Sequence, residues 1–167
     1  MSQQEHKADA PTEIRCAAIT VSDTRTEETD TGGKLLVELL TAAGHEITAR
    51  KILPDEPDAM RLLLVDLSER DDVDAILMTG GTGVSSRDQT YETVSALLTK
   101  PLPGYGELFR QLSYEQVGSA CLLSRAVGGL LDRTVLLTMP GSPKAVQLAM
   151  EKVILPELGH LVREARR

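Results

Sequence analysis

The sequence reads Ala-Ile-Leu-Met-Thr-Gly-Gly-Thr-Gly from Ala75 to Gly83, and this stretch decides the class of fold. Residues 75–78 form a short apolar run that suits a buried strand, and the glycine-rich segment 79–83 follows it directly. Glycine lets the backbone turn sharply and approach a ligand closely. A buried strand ending in such a loop is typical of open α/β sheets, where ligands bind beyond the carboxyl ends of the strands.

Three further apolar runs predict strands of the same kind, at residues 14–21, 47–53 and 135–139. Between the strands, apolar residues recur every three or four positions, as they do on one face of a helix. Alternating strands and helices predict a three-layer α/β/α fold with a mostly parallel sheet. We expect this domain to span residues 14–167, after a disordered lead-in at residues 1–13.

Several local features carry predictions of their own. Asp30 is expected to cap the helix that follows it, and Gly44 to end that helix. Residues 121–127 are apolar and compatible with a helix, and Pro156 is expected to interrupt or kink the last one. Cys16 and Cys121 both lie in apolar runs, which predicts two buried thiols.

Composition excludes some classes of function. The net charge is −7, with one Phe, three Tyr and no Trp, so the basic patch and stacking aromatics of a nucleic-acid surface are missing. No apolar run approaches the roughly 20 residues that a membrane span needs. The polar first 13 residues lack the apolar core of a secretion signal, which favours a cytoplasmic protein.

Four polar loops follow the predicted strands, at residues 22–33, 54–58, 79–88 and 140–143. Because the carboxyl ends of parallel strands meet at one edge of a sheet, we expect these loops to lie together. The segment 79–83 is either a plain turn or a cradle of N–H groups for phosphate. Asp55 and Asp88 are either cap and turn residues or magnesium contacts, since Mg²⁺ takes one or two carboxylates together with substrate phosphate.

The ordered set of motifs resembles the MoaB/Mog family of molybdenum cofactor biosynthesis, which is related to the gephyrin G domain. The similarity covers residues 14–165, and the segment 106–115 looks like the bacterial MoaB branch in particular. The motifs are Thr20-Val21-Ser22-Asp23, Asp30-Thr31-Gly32-Gly33, Pro54-Asp55, Thr79-Gly80-Gly81-Thr82-Gly83, Ser86-Arg87-Asp88, Leu123-Ser124-Arg125 and Pro140-Gly141-Ser142-Pro143.

The resemblance implies homotrimers, or hexamers in the MoaB branch. It implies that molybdopterin is bound and adenylylated with ATP and Mg²⁺, releasing pyrophosphate, with a molybdate insertase as a candidate partner. Asp55 and Asp88 would be catalytic acids that act through magnesium. The substrate-binding residues that it implies are Ser22, Asp23, Thr79, Gly80, Gly81, Thr82, Gly83, Ser86, Glu107, Ser124, Arg125, Pro140, Gly141, Ser142 and Pro143.

One departure and two alternatives accompany the resemblance. Many relatives carry serine where this chain has Gly32, so one hydroxyl contact is absent here. A non-catalytic molybdopterin-binding scaffold is the first alternative to the adenylyltransferase, and a nucleotide pyrophosphatase is the second. The chemistry needs no protein nucleophile, because aligning two anions and neutralising their charge supplies most of the catalysis in phosphoryl transfer.

Overall fold

A computed structural model describes residues 10–167, which build one six-stranded sheet with helices on both faces. Residues 1–9 lie outside the described residues, so the predicted lead-in at residues 1–13 is covered only from residue 10 onward. Pro11 lies against the last helix, because its carbonyl oxygen would be 2.6 Å from a methyl group placed on Gly159.

The sheet has the order β2-β1-β3-β6-β5-β4. β1, β2, β3 and β6 run parallel, and β5 is antiparallel to both of its neighbours, so the predicted mostly parallel sheet is confirmed. The strands are β1 Arg15–Val21, β2 Glu46–Leu53, β3 Ala75–Thr79, β4 Lys100–Pro101, β5 Gly128–Leu131 and β6 Thr134–Met139.

Helices cover both faces of the sheet, which confirms the three-layer prediction. The helices are α1 Thr31–Ala42, α2 Pro57–Ser68, α3 Thr90–Leu97, α4 Pro103–Val117, α5 Pro143–Ala149 and α6 Leu155–Ala165. Met60 of α2 and Val94 of α3 pack on one face, against a core that includes Ile76 of β3. The other face is covered by Leu36 of α1, Phe109 of α4 and apolar residues of α5 and α6. Both faces are apolar because alternate side chains of a strand point to opposite sides of the sheet.

Asp30 and Gly44 bound α1 as predicted. The Asp30 carboxylate accepts a hydrogen bond from the Gly33 amide at 2.9 Å and one from the Thr20 hydroxyl at 2.6 Å. It also pairs with the Arg50 guanidinium, so this buried charge is fully compensated. Gly44 has φ of 87°, the left-handed conformation that ends helices.

The predicted helix at residues 121–127 is wrong. The chain forms a short 3₁₀ segment at Gly118–Leu123 and then runs extended into β5, which the sequence reading missed. β5 begins with Gly128 and Gly129. Because glycine is depleted in strands, the residue pattern here does not predict a strand. Small residues are needed there because a methyl group on Gly128 would lie 2.8 Å from the Tyr105 ring.

The prediction of two buried thiols holds for one cysteine only. Cys16 is fully buried in β1, whereas Cys121 is half-buried because the 3₁₀ segment places it on a cavity wall. Pro156 interrupts the last helix as predicted, since a π-helical turn at Met150–Ile154 separates α5 from α6. Proline has no N–H to continue the α-helical bonding, and the wider turn absorbs that loss.

None of the helices within residues 10–167 combines the length and apolar character required to cross a membrane.

Candidate functional site

The four polar loops meet at one edge of the sheet, as the strand order requires. The Thr79 hydroxyl donates to the Pro140 carbonyl at 3.0 Å, which joins the glycine-rich loop to the turn before α5. The Asp55 amide donates to the Asp23 carboxylate at 3.1 Å, and the Gln89 amide donates to the Asp55 carboxylate at 2.9 Å. These bonds link loops that lie up to 61 residues apart in sequence.

Two adjoining cavities open at this edge. The glycine-loop cavity, of about 480 Å³, lies between the segment 81–83, α4, the 3₁₀ segment and the start of α5. The serine cavity, of about 340 Å³, contains Ser22 and Gly80 and shares Gly141 and Ser142 with its neighbour. Both volumes fall in the range of small-molecule sites.

Most of the predicted binding residues line one of these two cavities. Those in the glycine-loop cavity are Gly81, Thr82, Gly83, Ser124, Pro140, Gly141 and Ser142, and the predicted catalytic acid Asp88 lines it as well. Those in the serine cavity are Ser22, Thr79, Gly80, Gly141, Ser142 and Pro143. Glu107 lies instead in a separate cavity between α3 and α4, and Asp23, Asp55, Ser86 and Arg125 line none of the three.

The glycine-rich loop lines the glycine-loop cavity with residues whose amide groups are not used by the fold. The N–H of Gly80 is used by the fold, since it donates to the Met139 carbonyl at 2.9 Å. Among the described residues, no acceptor is bonded to the amides of Gly81, Thr82 and Gly83. Successive free amides in a glycine-rich loop are the usual means by which a backbone binds phosphate.

Asp55 and Asp88 both flank the glycine-rich loop, and each keeps one carboxylate oxygen free. Asp55 Oδ1 accepts from the Gln89 amide, and Asp88 Oδ2 accepts from the Ser85 amide at 2.9 Å. The second oxygens, Asp55 Oδ2 and Asp88 Oδ1, have no hydrogen-bond partner among the described residues. Each carboxylate therefore holds a turn or a helix start, which is one of the two roles expected from the sequence. The magnesium contact stays a prediction, for which one oxygen of each carboxylate has no competing partner among the described residues.

Burial sets the electrostatics of Asp55. Its side chain is 5% exposed, and this burial raises the pKa of the carboxyl, as do the charges of Asp88 and Asp23 to a smaller extent. A buried carboxylate beside a second acid favours a positive partner. Residues 10–167 contain no group of three or more metal-binding side chains, so a cation here would need ligand or water oxygens as well.

Arg87 connects the acidic loops to each other. Its guanidinium binds both carboxylate oxygens of Asp23 at 2.9 Å and a carboxylate oxygen of Glu56 at 2.9 Å. Because Asp23 also accepts from the Asp55 amide, the Arg87 clamp fixes Asp55 relative to the loop that carries Asp88. The hydrogen bond from Arg87 lowers the pKa of Asp23, which keeps the clamp ionised at neutral pH.

Arg125 supports the glycine-rich loop through hydrogen bonds to backbone carbonyl groups. Its Nε donates to the Gly83 carbonyl at 2.8 Å, and its Nη2 donates to the Asp88 carbonyl at 3.1 Å. The same guanidinium pairs with Glu92 and lies 5.2 Å from the centre of the Tyr91 ring. The structure thus places Arg125 as a loop support and not as a wall of the cavity.

Ser124 and Lys144 offer polar groups to the glycine-loop cavity. The Ser124 hydroxyl is buried and has no hydrogen-bond partner among the described residues. Lys144, which the sequence reading missed, is the one cation among the described residues that line this cavity. Lys144 directly follows Pro143 at the start of α5, and a positive side chain at a helix start favours anion binding. This position was the sequence signal that could have identified it.

The two thiols are predicted to differ sharply in reactivity. Burial raises the pKa of Cys16 to about 12, so its reactive thiolate is nearly absent at pH 8. Cys121 lines the glycine-loop cavity, so iodoacetamide should label this residue and leave Cys16 unmodified in the native protein. Mass spectrometry of labelled peptides would measure this, and Cys121→Ser should abolish native labelling. Equal labelling of both thiols would contradict the burial of Cys16.

Comparisons with known proteins match this architecture over nearly the whole chain. The family described as a probable molybdopterin binding domain matches residues 17–160. Molybdenum cofactor biosynthesis protein B of Bacillus cereus is 52% identical over 168 residues, which cover 100% of this chain and 99% of the relative.

Solved structures agree. A crystal structure of a molybdenum cofactor biosynthesis protein B superposes with a TM-score of 0.91 at 52% identity, covering 95% of this chain and 99% of the other. The tungsten cofactor synthesizing protein MoaB from Pyrococcus furiosus gives a TM-score of 0.84 at 36% identity, covering 95% and 100%. Since the sequence match extends through the glycine-rich loop, both acids and the turn before α5, this chain belongs to the molybdopterin-binding domain family of molybdenum cofactor biosynthesis.

Proposed function

We propose that this chain is a molybdopterin adenylyltransferase, which joins the phosphate of molybdopterin to the α-phosphate of ATP and releases pyrophosphate. The observation that carries the proposal is the pair Asp55 and Asp88, which flank free loop amides and each keep one unbonded carboxylate oxygen. A scaffold that only binds a pterin would not need two acids beside a phosphate cradle, because their charges oppose anion binding unless a cation lies between them.

The protein's own groups suit a reaction between two anions. The amides of Gly81, Thr82 and Gly83 would bind phosphate oxygens, and the Lys144 ammonium and Ser124 hydroxyl would hold the second phosphate in line. Magnesium, when bound by Asp55 and Asp88, would neutralise charge on the transferred phosphoryl group. Aligned donors of this kind contribute on the order of 3 kcal/mol each to lowering the barrier in other enzymes.

The apolar wall of the glycine-loop cavity suits the other end of molybdopterin. Phe109, Ala145 and Leu148 line the same cavity as the glycine-rich loop, so a flat ring that packs on them would share the cavity with the loop amides. The activated product would then pass to a molybdate insertase. We place these reactions in the cytoplasm.

The proposal is tested by pyrophosphate release from Mg²⁺-ATP with and without molybdopterin. Release that requires both substrates, and that Asp88→Asn lowers strongly, is the expected result. Tight pterin binding by the wild type without any pyrophosphate release would overturn the enzyme proposal and support a scaffold. Hydrolysis of nucleotide without pterin would indicate a pyrophosphatase.

The Arg87 clamp yields a prediction for metal affinity. Arg87→Ala should raise the Mg²⁺ concentration needed for half-maximal rate by roughly 10- to 100-fold, because residues that orient metal ligands have effects of this size. Thermal unfolding should change little, since the Arg87 side chain is 55% exposed and surface pairs contribute little stability. Arg61→Ala is the matched control, because it removes an exposed arginine–aspartate pair on α2 that lines neither the glycine-loop cavity nor the serine cavity. An unchanged Mg²⁺ dependence in Arg87→Ala would contradict the role of the clamp.

Exposed apolar side chains on α4 and the 3₁₀ segment support a homo-oligomer, either a trimer or a hexamer. The exposed residues are Leu108, Tyr114, Val117, Leu122 and Leu123. Patches of this kind usually mark interaction surfaces.

The patch predicts which substitution breaks the assembly. Leu122 is 70% exposed and lines none of the three cavities described here, so Leu122→Glu should lower the molar mass measured by light scattering toward that of a monomer. A charged group in an apolar contact loses its hydration without a partner. Leu62→Glu on α2, where the leucine is 74% exposed, should leave the molar mass of the assembly unchanged. A Leu122→Glu protein of unchanged mass would rule out this surface.

A further inference from the structure

A third cavity, here called the Arg110 cavity, lies between α3, β4, α4 and β5. It has a volume of about 320 Å³ and shares no lining residue with the glycine-loop cavity or the serine cavity. Leu98 and Leu102 form apolar parts of its wall, and Ser95, Glu107 and Arg110 supply polar groups. It is therefore a separate site, and none of the chemistry proposed above uses it.

Arg110 is the unusual residue of this cavity. The other half-buried arginines among residues 10–167 each pair with a carboxylate: Arg15 with Asp74, Arg50 with Asp30, Arg70 with Asp72, Arg125 with Glu92 and Arg163 with Glu164. Arg110 pairs with no acid among these residues. Its recorded bond is one from Nη1 to the Ala126 carbonyl at 3.1 Å, so most of its five N–H groups remain available.

Glu107 does not neutralise Arg110, although it lies one helical turn earlier on α4. No ion pair joins the two residues within the 4.0 Å that defines one. A half-buried guanidinium without a counter-ion is unfavourable, because burial removes part of its hydration. In the other half-buried arginines a carboxylate partner compensates for this loss. Arg110 thus offers this cavity a positive charge and free N–H donors that suit an anionic group.

Ser95 adds a second, independent indication. Its hydroxyl oxygen on α3 is buried and has no hydrogen-bond partner among the described residues. The large majority of buried hydroxyl groups in proteins are hydrogen-bonded. An unbonded hydroxyl on a residue that lines a cavity therefore suggests that its partner is a ligand. Glu107 of α4, an exposed residue that also lines this cavity, provides an acceptor for an N–H donor of that ligand.

We propose that the Arg110 cavity binds a small phosphorylated molecule that also carries an N–H donor, as a nucleoside monophosphate does. The phosphate takes the free donors of Arg110, the Ser95 hydroxyl bonds the ligand, and Glu107 accepts from its amino group. An acid side chain from another copy of the chain is the competing occupant. A volume of about 320 Å³ favours the small molecule, because one carboxylate side chain would leave most of the cavity empty.

The proposal is independent of the adenylyltransferase activity, and the glycine amides separate the two sites. Gly106 and Gly128 line the Arg110 cavity, whereas Gly81 and Gly83 line the glycine-loop cavity. In protein labelled with ¹⁵N-glycine, AMP should shift the Gly106 and Gly128 amide resonances with a saturable dependence on concentration. Adenosine, which lacks the phosphate, should bind about tenfold more weakly or worse at this site. Ribose 5-phosphate, which lacks the amine, should also bind more weakly.

Variants complete the test. Arg110→Gln should abolish the AMP shifts at Gly106 and Gly128 while leaving any shift at Gly81 and Gly83 unchanged, and Arg110→Lys should retain weaker binding. Thermal unfolding of each variant establishes that it is folded, and Ser95→Ala provides a second variant with a smaller change. The proposal is overturned if AMP shifts neither cavity glycine at millimolar concentration, or if Arg110→Gln binds AMP as the wild type does. A wild type that does not bind AMP, together with an Arg110→Gln variant of altered oligomer mass, would also overturn the proposal. That result would assign Arg110 to a contact between subunits.

Discussion

Asp55→Asn is expected to lower the rate of adenylyl transfer by about 100-fold or more and, at the same time, to make the fold harder to unfold at pH 7. The rate falls because the amide can still accept the Gln89 bond but cannot provide the negative charge that a cation needs. The fold becomes more stable because the ionised carboxyl is unfavourable in its buried position, as its raised pKa indicates. If removing the carboxylate stabilises the fold and lowers the rate, Asp55 is kept for function and not for stability.

The pH dependence of stability follows from the same pKa. In the unfolded chain Asp55 ionises near pH 4, whereas in the fold it ionises at a higher pH, so the native state binds more protons between the two values. The contribution of Asp55 to stability is therefore most favourable at low pH and falls as the pH rises through the raised pKa. Asp55→Asn should remove this fall, so the gain in melting temperature over the wild type should be larger at pH 7 than at pH 4.5.

Magnesium provides a readout that does not depend on turnover. Added Mg²⁺ should raise the melting temperature of the wild type and should not raise that of Asp55→Asn, because a ligand stabilises the state to which it binds. Asp58→Asn is the matched control, since Asp58 is the same residue type on a nearby helix start and its side chain is 95% exposed. It should behave as the wild type does in rate and in the Mg²⁺ response. A destabilised Asp55→Asn with full activity would refute both the metal role and the unfavourable burial.

The sequence predicted the layers because the decisive patterns are local. The apolar run at residues 75–78 predicts a buried strand, and the helical spacing of Met60, Leu64 and Leu67 predicts a helix face. The structure has a buried strand and a helix with a buried face at these positions. β4 and β5 escaped prediction because they are short and carry proline or glycine, and their pairing is long-range. Propensity gives little information where tertiary contacts decide the conformation.

The position of the candidate site could be predicted from the sequence, but the contacts between its residues could not. Strand ends place the four loops together, but no local pattern shows that Arg87 contacts Asp23 across 64 residues. Asp55 lies just before α2, yet its carboxylate binds the Gln89 amide at the start of α3. The separation of Glu107 from the glycine-rich loop likewise depends on how α4 crosses the sheet, which sequence spacing does not encode.

Gly80→Ala is expected to lower the free energy of unfolding by about 3 kcal/mol or more, the largest effect of any single methyl group in the loop. Gly80 has φ of 100°, which a side chain rarely adopts, and a methyl group there would collide with the Val21 carbonyl of β1. The obstacle is backbone at the last residue of β1 and not the end of a flexible side chain, so little can move away. The same close approach joins the glycine-rich loop to the strand that precedes Ser22.

Gly44→Ala separates the two causes of this loss. Gly44 also has a positive φ, of 87°, but no atom lies within 4 Å of a methyl group added there. It should therefore lose only the backbone term, about 1 kcal/mol, and the difference between the variants measures the contact with Val21. Urea unfolding at equilibrium gives both values on one scale. Equal losses would mean that the loop does not need its close approach to β1, and would remove the structural reason for glycine at the base of the phosphate cradle.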